Sequence, residues 1–288
     1  MLTLTQLIIG LLLPPLVCGV IYTFVVYLMN RDFNESLLKW LIAAVLGIAY
    51  IIGYIGLEGK LTLVPIESRH WIFYLTIVTV GTSVLWHKYK MFGVILEVLL
   101  SILVPRILLI SYYEYSWSIF EGLMWWMGLA IIIFFFLRIV QQSFKTLPQN
   151  ATIPFVYLGI SGGTALILAL SGSMLLALHS SVLVALFAAL WILTIVLPRM
   201  LKSDSSHNLA ALLIGVTPVL SILLVSIWLN GYFYAEVPSV SVLLLVIAPL
   251  FAVVAKKKSQ LIQIGLIAVS VCVAIGIAVL RSGFFSDR

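Results

Sequence analysis

Ten continuously apolar runs, each near the length of a membrane crossing, fill almost the whole chain: residues 5–29, 37–57, 71–86, 91–111, 119–139, 152–170, 175–198, 209–229, 239–254 and 261–281. A helix needs about 20 apolar residues to cross the hydrocarbon layer, whereas a membrane barrel would show apolar/polar alternation over about 10 residues per strand. The pattern predicts an all-α, polytopic transmembrane bundle of about ten spans, with almost nothing left over for a soluble domain. The narrowest break lies at Ser171, Gly172 and Ser173. Without a turn there, the sixth and seventh runs would merge and the count would fall to nine.

Composition agrees with the pattern. The chain is 63% hydrophobic and 9% charged, with a mean hydropathy of +1.23, against about 25% charged residues in soluble domains. Residues 1–30 lack a basic leader and carry an apolar stretch longer than the roughly 7–15 residues of a signal-peptide core, so the first run is expected to stay as a helix. Cys18 follows Pro15, Leu16 and Val17, which are not the small residues a lipid-attachment site requires. Cys18 and Cys272 both fall mid-span and are predicted to be buried small hydrophobes rather than a disulfide or metal pair.

Charge sets an orientation. With ten spans, Arg31, Lys39, Lys88, Lys90, Arg138, Lys145, Arg199, Lys202 and Lys256 to Lys258 share one side, eleven in all, while Lys60, Arg69, Arg281 and Arg288 share the other. Cytoplasmic loops collect such residues, which places the first side inside and both termini outside. The expected location is the plasma membrane, or the inner membrane in a bacterium. The basic pI of about 9.3 is thereby a topogenic signal and not a footprint for nucleic acid. The outer side collects Glu58, Glu67, Glu114, Glu121, Glu236 and Asp287 together with YYEYSW (112–117), MWWM (124–127) and GYFYAE (231–236). Tyrosine and tryptophan settle at headgroup depth in any membrane protein; the same face would also serve as a vestibule or docking surface for a cationic or aromatic partner.

The fourth run, MFGVILEVLLSILVPRILLI, carries two full charges, Glu97 and Arg106. Nine residues apart, they lie about 180° round a helix and roughly 13 Å along it, so they cannot pair with each other. A charge at the bilayer centre costs about 2.5–3.5 kcal/mol on insertion scales, so each calls for a partner or water. Matching depths across the fourth and fifth runs predicts that Glu121 holds Arg106, and that Arg138 or Lys90 compensates Glu97. Pro105 leaves a helix carbonyl without its donor, which the guanidinium could satisfy. Glu97, Arg106 and Glu121 are accordingly the first candidates for an intramembrane role, with Glu97 as a proton-coupling carboxyl.

Secondary positions are His179, the one histidine clearly inside a run, and the pair Glu67 and His70 in ESRHW, which share a face if the third helix starts early. SGGT (161–164) and SGS (171–173) read as small residues that let helices approach closely. His87 and His207 fall in predicted loops. No zinc-protease, nucleophile-elbow, phosphate-loop or dinucleotide fingerprint occurs, nor paired histidines for haem, so no catalytic residue, cofactor or metal is assigned.

Ten spans in under 300 residues resembles the drug/metabolite transporter class of compact carriers, in length and helix number only; those carriers keep both termini inside, and this chain departs from them there. A five-plus-five division at about 1–145 and 146–288 would relate the halves by inversion, with prolines at matched positions in runs one and six (Pro14, Pro15, Pro154) and four and nine (Pro105, Pro249). The leading expectation is a small-solute secondary carrier with its path along runs one, four, six and nine and a polar cavity at mid-depth. A non-catalytic membrane subunit packed against other subunits is the alternative, and an intramembrane enzyme the third. The partners expected are the lipid bilayer, other membrane subunits or a small solute, and no nucleic acid.

Overall fold

The computed structural model describes residues 3–29, 34–59, 64–147, 151–201 and 212–282, and among them every regular element is a helix. In chain order these are α1 (Leu4–Met29), α2 (Glu35–Glu58), α3 (His70–Lys88), α4 (Lys90–Leu108), α5 (Ile110–Tyr115), α6 (Ile119–Thr146), α7 (Thr152–Leu170), α8 (Met174–Leu201), a 3₁₀ turn (Leu213–Val216) running into α9 (Thr217–Tyr234), α10 (Ser239–Val254) and α11 (Gln260–Arg281). Eight of these segments are long and apolar enough to cross a membrane, while α3 and α10 contribute shorter apolar helices. Large apolar side chains are exposed along the outward faces, as on α6 at Phe120, Met124, Met127, Ile131 and Phe135. A surface of that kind is stable against acyl chains and not against water, so the bundle is an integral membrane protein.

Local signals explain the boundaries. Asn34 caps α2 by accepting from the Ser36 amide at 2.9 Å. Ser118 and Glu121 form a reciprocal capping box at the start of α6. Between α7 and α8 the chain reverses at Gly172, whose φ of +81° a residue with a Cβ would resist. The sixth and seventh runs are therefore two antiparallel helices. The fourth run ends earlier than predicted, at Leu108, and the aromatic stretch after it winds into the short helix α5.

Helix α9 is the centre of the bundle. Every side chain from Thr217 to Gly231 is buried, against α2, α3, α4, α6, α8 and α10. Ser221 and Asn230 tolerate this because they bond back to their own helix, Ser221 donating to Thr217 O at 2.7 Å and Asn230 to Ser226 O at 2.8 Å, while Trp228 Nε1 donates across to Thr164 Oγ1 at 2.9 Å. Around it, α1 packs on α2 and α8, α7 on α8 and α11, α10 on α11 and α6, and α4 on α6. The α1–α2 crossing is a backbone contact: a Cβ on Gly56 would lie 2.7 Å from Gly10 N. Without a hydrophobic drive between helices in lipid, such close approach is what holds them together. Gly163 of the SGGT stretch plays the same part beside Val271. Cys18 is buried as expected, but Cys272 is exposed on the outer face of α11.

Candidate functional site

Two ends of the bundle can be told apart by cross-helix bonds. At one, the C-termini of α2, α4, α7 and α9 meet the N-termini of α3, α6 and α8. There Ser68 Oγ donates to Leu108 O at 2.6 Å, Tyr234 Oη donates to the same carbonyl at 2.9 Å, and the Tyr112 hydroxyl donates to Phe233 O. A polar cavity of about 330 Å³ opens at this end, walled by Glu67, Ser68, Arg69, Ser111, Ser173, Asn230 and Tyr234 with Ile66, Leu175 and Leu176.

Arg69 leads from this cavity to a buried ionic cluster. Its Nε lies 2.7 Å from Glu67 Oε2 and 3.7 Å from Glu58 Oε1. Glu58 Oε1 in turn lies 3.1 Å from Nε2 of His179, which is 0% exposed. The His179 ring stacks on Tyr54 at 5.0 Å and 25°, with Tyr50 at 6.4 Å, and its Nδ1 has no hydrogen-bond partner. His70, also buried, accepts the Glu67 amide at Nδ1 over 3.3 Å. The α3 helix does start early enough, at His70, for that local contact to form.

The secondary sequence candidates His179, Glu67 and His70 are thus brought together, by a residue that was not among them. Glu58 was counted only as one of several outer-face acids. A signal was available: Tyr50, Tyr54 and Glu58 recur at four-residue spacing, which draws a polar-tipped stripe down one face of α2.

The first candidates sit elsewhere. Glu97, 2% exposed, is held by Arg138 Nε at 2.6 Å and by the Gln141 amide at 2.6 Å, both from α6. Of the two cations expected for Glu97, Arg138 is the partner, because α4 and α6 pack as an antiparallel pair. The predicted Arg106–Glu121 pair does not form. Glu121 is the third residue of α6 and its carboxylate takes the Ser118 amide and hydroxyl at 3.0 and 2.8 Å, so local capping outcompetes a partner across the hairpin. Arg106 instead lays its guanidinium over the Tyr113 ring, 4.5 Å from the centroid, and not against a carbonyl freed by Pro105. Burial pushes the Tyr113 phenol above its ordinary range, and Arg106 pulls the other way. A carbonyl near Pro105 is reached from α6, where Trp126 Nε1 donates to Ile102 O at 2.7 Å.

The cavity departs from the expected path. Its walls come from the segment before α3, from Ser111 at the very end of run four, from the α7–α8 turn and from α8 and α9, with nothing from runs one, six and nine, and it lies at the end of the bundle instead of mid-depth. At mid-depth, α9 fills the centre with apolar side chains. His87 belongs to the last turn of α3 and not to a loop. His207, Lys60, Asp287 and the chain ends lie outside the described residues. Comparison with protein-family models, with curated proteins and with solved structures finds nothing that matches this chain.

Proposed function

We propose that this membrane protein is a ten-span secondary carrier for a small polar solute, with both termini outside the cytoplasm and the polar cavity as its outward-facing binding site. One observation carries the reading: an open cavity walled by Glu67, Ser68, Arg69, Ser111, Asn230 and Tyr234 is backed by a buried carboxylate–imidazole contact, Glu58–His179. Burying a carboxylate against an imidazole inside a membrane bundle is costly. A carrier has a use for it, since a binding site that must alternate between filled and empty needs groups that exchange partners. The apolar α9 beneath the cavity supplies the barrier that keeps an outward-open state closed on the other side.

The test is uptake into proteoliposomes challenged with panels of amines, amino acids, sugars and carboxylates. Saturable uptake of at least one class is expected, and Asn230→Leu in the cavity wall should abolish it. A protein that is folded by its thermal midpoint and moves nothing across all four panels would overturn the carrier reading.

A further inference from the structure

We infer that the cavity takes a small monovalent organic cation, and that this cation and a proton on His179 compete for one charge vacancy in the cluster beneath it. The inference deepens the carrier reading and rests on it only for the transport step.

The charge inventory decides the sign of the ligand. Glu58 and Glu67 present two carboxylates, and one guanidinium, Arg69, serves both. His70 accepts a hydrogen bond at Nδ1 from the Glu67 amide, so that nitrogen carries no proton and the ring adds no charge. The other titratable groups facing the cluster are the phenols of Tyr50 and Tyr54 from α2, Tyr74 from α3 and Tyr234 from α9, none of which supplies a positive charge. With His179 neutral the cluster therefore holds one negative charge in excess; with His179 protonated it is balanced. A ligand cation beside Glu67 supplies the same balance, and the two together would overshoot it.

The hydrogen-bond polarity of the cavity agrees independently. Ser68 and Tyr234 both spend their hydroxyl protons on Leu108 O, so they offer lone pairs to the cavity. Asn230, 2% exposed, donates one amide N–H to Ser226 O, so its amide oxygen, beside the second N–H, is available to a ligand. The walls thus offer the Glu67 carboxylate and several oxygen lone pairs, while Arg69 holds its Nε against Glu67 Oε2 at 2.7 Å. An ammonium group matches such walls and a carboxylate does not. Binding then proceeds as an exchange: the cation enters beside Glu67, the proton leaves His179 for solvent, and the net charge of the cluster is unchanged. In a carrier, that exchange is cation/proton antiport.

The experiment is calorimetric titration of the purified full chain with methylammonium, ethanolamine and choline chlorides, in two buffers of different ionisation enthalpy at one pH, with acetate and glucose as controls. Saturable binding of at least one cation is expected, with up to about one proton released per cation and affinity that falls as pH is lowered. His179→Gln should bind without proton release, and Glu67→Gln, a change at a half-exposed position, should weaken binding about fivefold. No saturable cation binding, tighter binding of acetate or glucose, or a flat pH profile in the wild type would each overturn the inference. Should His179→Gln not fold, the wild-type pH profile and Glu67→Gln still decide it. Cation binding with proton release but no exchange in proteoliposomes would sink the carrier reading and leave this inference standing; uptake of a neutral or anionic solute without cation binding would do the reverse.

Discussion

Replacing Glu97 by glutamine tests whether the charge in the fourth run is a structural pin. The carboxylate is 2% exposed and receives Arg138 Nε and the Gln141 amide, each at 2.6 Å. Breaking a fully buried ion pair costs about 3–5 kcal/mol, chiefly because the surviving charge is left uncompensated. Arg138 is 41% exposed, however, so its guanidinium can turn away from the core and recover part of that loss. Glutamine also keeps the shape of the side chain and a carbonyl for Gln141 to donate to. Discounting for both leaves an expected cost of about 1–3 kcal/mol. For a chain of this size, about 2–4 °C of thermal midpoint corresponds to each kcal/mol, so intrinsic tryptophan fluorescence in detergent should show a fall of roughly 2–12 °C. Arg138→Gln should lower the midpoint further, since it strands the buried carboxylate itself. The double substitution replaces the ion pair by two amides able to bond to each other, and should cost less than the sum of the singles by about 1 kcal/mol or more. An unchanged midpoint for Glu97→Gln, or strict additivity with Arg138→Gln, would refute the pin.

Gly56→Ala should destabilise by about 1–3 kcal/mol, because its Cβ would meet the Gly10 backbone at 2.7 Å and neither backbone can step aside; Gly81→Ala, with nothing within 4 Å, is the control and should be neutral or stabilising in the same thermal assay. Glu121→Ala should lower the thermal midpoint through loss of its capping box, and should add strictly to Arg106→Gln because the two side chains are not partners; a coupling energy between them in a double-mutant cycle would restore the pairing rejected above. In intact cells an impermeant thiol reagent should label a cysteine placed at Tyr115, which is exposed at the end of α5, and not one placed at Ser259 beside the lysine run, once Cys18 and Cys272 are replaced by serine; the reverse labelling would invert the topology.

Class and helix positions follow from the sequence by itself. Continuous apolar runs of crossing length satisfy their backbone in lipid as helices, and over the described residues each of the ten runs falls mainly on one helix. The Ser171–Ser173 break and the grouping of acids and aromatics are equally local and legible residue by residue, whereas the capping box at Ser118 emerges from the structure. The Arg138 partner of Glu97 was also within reach, because two helices joined by a short loop must lie antiparallel and depth alone then limits the choices. What depth matching cannot weigh is a nearer competitor. Glu121 had the right height for Arg106, but three residues away Ser118 offered it bonds that cost no chain ordering, and Tyr113 offered Arg106 its ring. The cluster at the cavity lay further out of reach. Glu58 and His179 stand 121 residues apart, on helices whose apolar surfaces carry no code for which neighbour they choose. In lipid that choice rests on small-residue contacts such as Gly10 with Gly56, and on α9 being enclosed at the centre; only once those packings exist do Glu58, Arg69 and His179 come to share one site.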